Sequence, residues 1–243
     1  MVVYNKKQPN DNNKQILPIA MKREIYMRDF PVFTTKHGVA SLIFSEVPYK
    51  GIAYIRIQDT LEPQALLREC VDFCKTVGAQ KIYATGHAIL EAYPFHTAIW
   101  QMRRMRDGLP ETDAALFPVT EKTIEEFRSL YNERMANVSH AATMTRGEGE
   151  KLLLRGAGYF VHRGETLLGI GIAAGDTVEA VIATRPGMGT DVMLALCSAL
   201  FSENVVLEVA SDNLRARKLY DKLGFIKTAE LSRWYDVSKI LQW

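Results

Sequence analysis

From Asp29 onward the apolar residues fall in short runs broken by turn formers. FPVFTT, VASLIFSEV and GIAYIRIQ, punctuated at His37-Gly38 and at Pro48 through Gly51, predict a three-stranded meander. The period then changes. In EPQALLRECVDFCKTVGA, the residues Ala65, Leu66, Cys70, Phe73 or Cys74, and Val77 recur at helical spacing, with Thr60 as cap, Pro63 in the first turn and Gly78 as stop. KIYAT reads as a short strand, GHAILEAYPF as a connection broken by Pro94, and HTAIWQMRRMR as another strand; this half closes near Gly108-Leu-Pro110.

The second half opens on the strand LFPVT, a capping Thr120, the amphipathic helix EKTIEEFRSLYNERMANV and a shorter helical piece from Glu148 to Arg155. GYFVHRG, ETLLGIGIAAG and DTVEAVIAT predict three strands joined at Arg163-Gly164 and Gly175-Asp176. RPGMG, the helix TDVMLALCSALF, the strand NVVLEVAS, the helix NLRARKLYDKLGF and the strand region FIKTAELSRWYDV complete the pattern. Both halves run in one order: meandering strands, crossover helix, strand, connection and closing strand. This is a similarity of pattern rather than of residues, and it predicts two related α+β units in tandem.

Composition narrows the function. The chain has 243 residues, 47% hydrophobic and 24% charged, with a formal net charge of +2, too near neutral to make nucleic acid the main partner. Arg103, Arg104 and Arg106 form its one local basic cluster, read as the solvated face of an element. Cys70, Cys74 and Cys197 cannot all pair and show no C-x-x-C spacing. The five histidines lack metal-binding spacing, so neither a disulfide framework nor a metal is expected. With no apolar run long enough to span a bilayer and no secretory layout, a cytoplasmic location is expected, without membrane contact. Polar residues 1–20 read as a flexible extension.

Candidate chemistry concentrates late in the chain. Thr184-Arg185-Pro186-Gly187-Met188-Gly189-Thr190-Asp191 leads from an apolar strand into an apolar helix. Glycines one residue apart let backbone N-H groups turn outward at a helix N-terminus, an anion site suited to phosphate or pyrophosphate. It lacks the Lys-Ser/Thr of a P-loop and the third glycine and later acidic residue of a dinucleotide fingerprint. The second cluster, Gly169-Ile-Gly171 with Gly175, leads into more strand and reads as close backbone packing. In LEVASDNLRARKLYDKLGF, Asn213, Ala216, Tyr220 and Leu223 share one helical face, and Glu208 stands inside an apolar strand.

The order strand, G-x-G, helix, strand LEVAS and N-x-x-A-x-x-L-Y-x-x-x-G-F resembles the GNAT superfamily of N-acetyltransferases over roughly residues 116 to 237. The resemblance rests on Asn213, Ala216, Leu219, Tyr220, Gly224 and Phe225 with the upstream LEV. It implies two GNAT-like units, each a twisted, mixed and mostly antiparallel sheet flanked by helices: residues 21–110 and 111–243. It also implies acetyl-CoA between two splayed strands, its pyrophosphate on the amides of Gly187, Met188, Gly189 and Thr190. Pantetheine would run along Ala180, Val181, Ile182 and Ala183, with Asn213, Ala216 and Tyr220 on the facing helix. Tyr220 matches the family's thiolate-side acid, and also fits a core-edge aromatic. Glu208 and Glu179 match alternative base positions, and water remains a third choice. Cys197, mid-helix on the apolar side, is a poor nucleophile.

The match departs from the family where a Gln or Arg is usual three residues before the first motif glycine; Thr184 stands there, Arg185 comes one residue later, and the loop is short. The corresponding junction of the first half, Gln58-Asp59-Thr60-Leu61-Glu62-Pro63, has no glycine, two carboxylates and a proline. Acidic residues suit a helix N-terminus but repel pyrophosphate. The first half therefore reads as a degenerate unit that supplies structure, with His87, Tyr93 and His96 as candidates for a wall of the acceptor site. Expected function is acetyl transfer to a primary amine by direct attack, the alternative being a non-catalytic acyl-CoA-binding or regulatory module. Small amines, antibiotics, polyamines, amino acids and protein N-termini stay open as acceptors, and a homodimer is one of the open oligomeric states.

Overall fold

A computed structural model describes residues 32–240, so the expected N-terminal extension lies outside the described residues. The expected strands and helices form, and a four-residue helix (Val47–Lys50) and a 3-10 turn (Ala88–Ala92) stand where only a turn and a connection were expected. In the first half they are β1 (Val32–Thr35), β2 (Gly38–Ile43), α1 (Val47–Lys50), β3 (Ile52–Thr60), α2 (Pro63–Thr76), β4 (Lys81–Thr85), a 3-10 turn (Ala88–Ala92) and β5 (Phe95–Met105). The second half has β6 (Ala115–Pro118), α3 (Ile124–Met135), α4 (Arg146–Arg155), β7 (Gly158–Arg163), β8 (Thr166–Ala174), β9 (Thr177–Ala183), α5 (Gly189–Ser198), β10 (Asn204–Ala210), α6 (Leu214–Lys222) and β11 (Ile226–Asp236).

The strands make one mixed sheet in the order β1-β2-β3-β4-β11-β5-β10-β9-β8-β7-β6. Only β3/β4 and β9/β10 run parallel; every other neighbouring pair is antiparallel. Apart from β6 at the far edge, the order is symmetric about the β11/β5 contact, and each half lends its last strand to the other. β5 lies against β10, and β11 lies between β4 and β5. Two sheets expected in tandem are thus joined into one, which leaves neither half an unpaired central edge.

Helix starts differ in detail from the sequence reading. Thr60 ends β3 and Glu62 takes the N-cap of α2; Thr123 rather than Thr120 takes the N-cap of α3. α4 begins at Arg146 behind a capping box made by Thr145 and Glu148. Leu66, Leu67, Cys70, Val71 and Cys74 of α2 pack on β2, β3 and β4, each fully buried Leu contributing about 2 kcal/mol. Burial pushes both thiols up to about 12, which keeps them protonated and inert.

Gly169 and Gly171 serve close packing, as expected. A Cβ on Gly171 would sit 2.2 Å from Leu196 Cδ1 and 2.7 Å from the Ala180 carbonyl oxygen, so α5 rests directly on β8. The basic cluster is structural too: Arg103 donates to Asn204, Arg104 to the Met105 and Gly108 carbonyls, and Arg106 to the Leu200 carbonyl. Among the described residues, no helix is long and apolar enough to cross a membrane, and no group of three His, Cys, Asp or Glu could hold a metal.

Candidate active site

The two parallel pairs differ in one respect that creates a cleft. β3 and β4 pair continuously from Ile52↔Lys81 to Arg56↔Thr85. β9 and β10 pair only at Val206↔Thr177 and Leu207↔Val178, then separate. The cause lies in β9: between Ala173↔Val178 and Ile172↔Ala180 the register shifts, leaving Glu179 as the extra residue of a β-bulge. A bulge bends its strand and leaves a residue outside the ladder. Ala180 through Ala183 on one lip and Glu208 through Ala210 on the other then have no ladder between them.

The glycine loop sits at the open end. Gly187 adopts a left-handed φ of +93° and a Cβ there would meet nothing within 4 Å, so its backbone faces open space. Met188 is the N-cap of α5 and gives no side-chain cap, which leaves the first-turn amides of this ten-residue helix free for an anion. Asp191, the acidic residue of that turn, is drawn aside by Arg163 at 2.9 Å. Thr184 is occupied internally, donating to the Leu167 and Leu168 carbonyls, whereas Arg185 is exposed beside the loop. α6 is brought against the loop: a Cβ on Gly189 would stand 3.3 Å from Leu219 Cδ2.

On α6, Asn213 accepts from the Ala216 amide at 3.1 Å, so both residues secure the helix start. Tyr220 is buried in the core shared by α5, β10 and α6, its ring 5.9 Å from that of Phe225. Burial, reinforced by neighbouring Cys197, pushes its phenol up to about 12. The Cys197 thiol is likewise pushed up to about 12 by burial, in keeping with an inert thiol.

The two carboxylates part company. Glu208 is exposed, opposite Gln101 of β5, while its neighbours Leu207 and Val209 are buried beneath α5 and α6. Alternation along the strand therefore turns Glu208 to the other face, the one carrying α3, α4 and the segment between them. Glu179, at the bulge, is ion-paired with Arg155 at the end of α4. The structure thus places a carboxylate on each lip where the cleft begins, and pairs Glu179 with a guanidinium.

Several residues of this face escaped the sequence reading because their partners are distant in the chain. Asp212, in the turn two residues past the end of β10, accepts from Thr97 at 2.8 Å and from Ser139. Burial, the largest single influence, acts to raise its carboxyl, but the Ser139 and Thr97 hydrogen bonds, a backbone hydrogen bond and nearby His96 together hold it below its usual range. His140 has a left-handed φ of 59° and lies among Tyr54, Trp234 and His96, with ring centroids at 4.8, 4.8 and 5.6 Å. Of the three wall candidates, only His96 joins this cluster, stacked 3.8 Å from Tyr83. His87 caps the 3-10 turn through the Ile89 amide, and Tyr93 is buried in the α2 core.

Burial, aided by His96 and opposed by Asp212, lowers His140 from 6.5 to about 4. The fold prefers its neutral form, so this contribution to stability is whole above pH 6.5 and is lost as pH falls toward about 4. Thermal unfolding across that window should show a steeper acid-side loss in wild type than in His140→Asn, a residue that tolerates the left-handed backbone and does not titrate. Parallel losses would remove His140 as the cause.

No protein-family model and no curated protein matches this sequence. The fold is nevertheless that of the GCN5-related N-acetyltransferases. A GCN5-related N-acetyltransferase from Sphaerobacter thermophilus superposes with a TM-score of 0.53 at 11% identity, covering 84% of this chain and 78% of that one. One from Kribbella flavida gives 0.52 at 12% identity, covering 89% and 93%. One from Anabaena variabilis gives 0.55 at 12% identity, covering 89% and 66%. Identities this low speak for the fold alone.

Proposed function

We propose that the protein is an acetyl-CoA-dependent N-acyltransferase that moves an acetyl group to a primary amine by direct attack in a ternary complex. The observation that carries this reading is the cleft between β9 and β10, opened by a bulge at Glu179 and headed by the uncapped start of α5. The amides of Gly187 through Thr190 would hold the pyrophosphate, and the unpaired edge of β9 from Ala180 to Ala183 would accept pantetheine as a strand-like partner.

In the reaction the amine nitrogen attacks the thioester carbonyl carbon, and the C–S bond breaks as the tetrahedral intermediate collapses. A backbone amide freed at the bulge would stabilise the oxyanion. Glu208 would take the proton from the amine, directly or through water, and the buried, protonated Tyr220 would supply one to the departing thiolate. Residues 21–110 would form a degenerate unit that holds no CoA, because its parallel pair is closed and Glu62 with Pro63 occupies its helix start.

One observation favours a second reading, an acyl-CoA-binding module without turnover: Tyr220 is packed in the core rather than lying open to the cleft. Calorimetric titration of acetyl-CoA, followed by a thiol-release assay against a panel of primary amines, separates the two. Binding near −8 kcal/mol, or about micromolar, is expected for the wild type. Thr190→Glu puts a like charge at the proposed pyrophosphate position without straining the helix start, and should weaken binding at least about tenfold. Binding without thiol release selects the module; no binding removes both readings.

A further inference from the structure

Outside the cleft, Glu46 in the first half is a carboxylate only 3% exposed. Glu46 occupies the N-cap of α1, but its side chain makes no cap to that helix. Both its oxygens go to a residue 97 positions later: Oε1 accepts from the Thr143 amide and Oε2 from Thr143 Oγ1, each at 2.8 Å. Lys50, 3.6 Å from Glu46, completes the grip by donating from Nζ to the Ala141 carbonyl at 2.6 Å. A buried carboxylate is costly unless fully satisfied, and here satisfaction comes from the segment linking α3 to α4.

That segment, residues 136–145, bridges the two lips of the cleft. Met144 is buried in the cluster that includes Ala180 and Ile182 of β9. Ser139 donates to Asp212, just beyond the end of β10. Between them His140 is seated among Tyr54, Trp234 and His96, none of which belongs to either lip. The segment therefore crosses the cleft on the Glu208 face and is fastened to the half that has no cleft of its own.

We propose that the first half of the chain serves the reaction by holding residues 136–145 across the cleft as the wall against which the amine is oriented, with Glu46 as the positioning residue. This rests on the transferase reading. Glu46 touches neither reacting group, so it acts through Thr143, and its loss affects the capture of the amine more than the chemical step.

The test is amide hydrogen exchange of the ligand-free full chain, paired with kinetics on whichever panel amine the wild type acetylates fastest. In Glu46→Gln, exchange across residues 136–145 should rise about tenfold while α2 amides are unchanged. The amine KM should rise about tenfold, with kcat within about threefold and acetyl-CoA affinity unaltered. Thr143→Val should reproduce the effect, and Thr143→Ser, which keeps the hydroxyl, should restore wild-type values. Unchanged exchange in Glu46→Gln overturns the clamp. Faster exchange with an unchanged KM overturns the wall, and an equal rise in α2 exchange makes Glu46 an ordinary stabilising residue. A wild type that acetylates no amine overturns the positioning role along with the transferase reading, and the exchange data then show independently whether the clamp exists.

Discussion

Glu208→Gln is expected to lower kcat by about 10²-fold or more while acetyl-CoA binding, read by calorimetry, stays within about threefold. The amide keeps the shape and the strand register opposite Gln101 but accepts protons poorly, so a loss confined to turnover reports proton transfer rather than folding. Glu208 is preferred to Glu179 on position: β10 turns it toward the segment between α3 and α4, while Glu179 lies at the bulge. If Glu179→Gln takes the larger loss and Glu208→Gln is benign, the base moves to the other lip. If neither variant slows transfer, water draws the proton without a carboxylate in direct support.

The strands and helices were legible because their periods are local: the alternation in GIAYIRIQ and the helical spacing in EPQALLRECVDFCKTVGA need no knowledge of the rest of the chain. So was the contrast between the two halves, since Gly187 and Gly189 in one junction, and Glu62 and Pro63 in the other, state their chemistry within a few residues. The exchange of β5 and β11 was not legible, because apolar strands carry no mark of which distant edge they pair with. The same limit hid the contacts of residues 136–145. Glu46 falls near the end of VASLIFSEV, a run that reads as strand; nothing near it signals Thr143, and nothing near Ser139 signals Asp212. Tyr93 shows the converse error, a polar-tipped aromatic whose location in the sequence suggested a surface and whose packing puts it in the core.

Tyr220→Phe removes one oxygen from a buried site and is expected to slow transfer by about 10²-fold with little change in acetyl-CoA affinity. Burial holds the phenol up at about 12, so the protonated form that a departing thiolate requires persists throughout the ordinary working range. The sign for stability follows from the same shift: the native state favours the neutral phenol, so its contribution is whole below pH 10.0 and is lost as pH rises from there toward about 12. Two measurements separate catalysis from packing. Chemical denaturation of Tyr220→Phe should change stability by about 1 kcal/mol at most, since the ring and its contact with Phe225 are kept. Single-turnover rates with acyl donors whose thiols leave progressively more easily should then converge between wild type and variant, because a better leaving group needs no proton. A constant ratio across the donors would mean that Tyr220 packs α6 against the core and takes no part in expelling the thiolate.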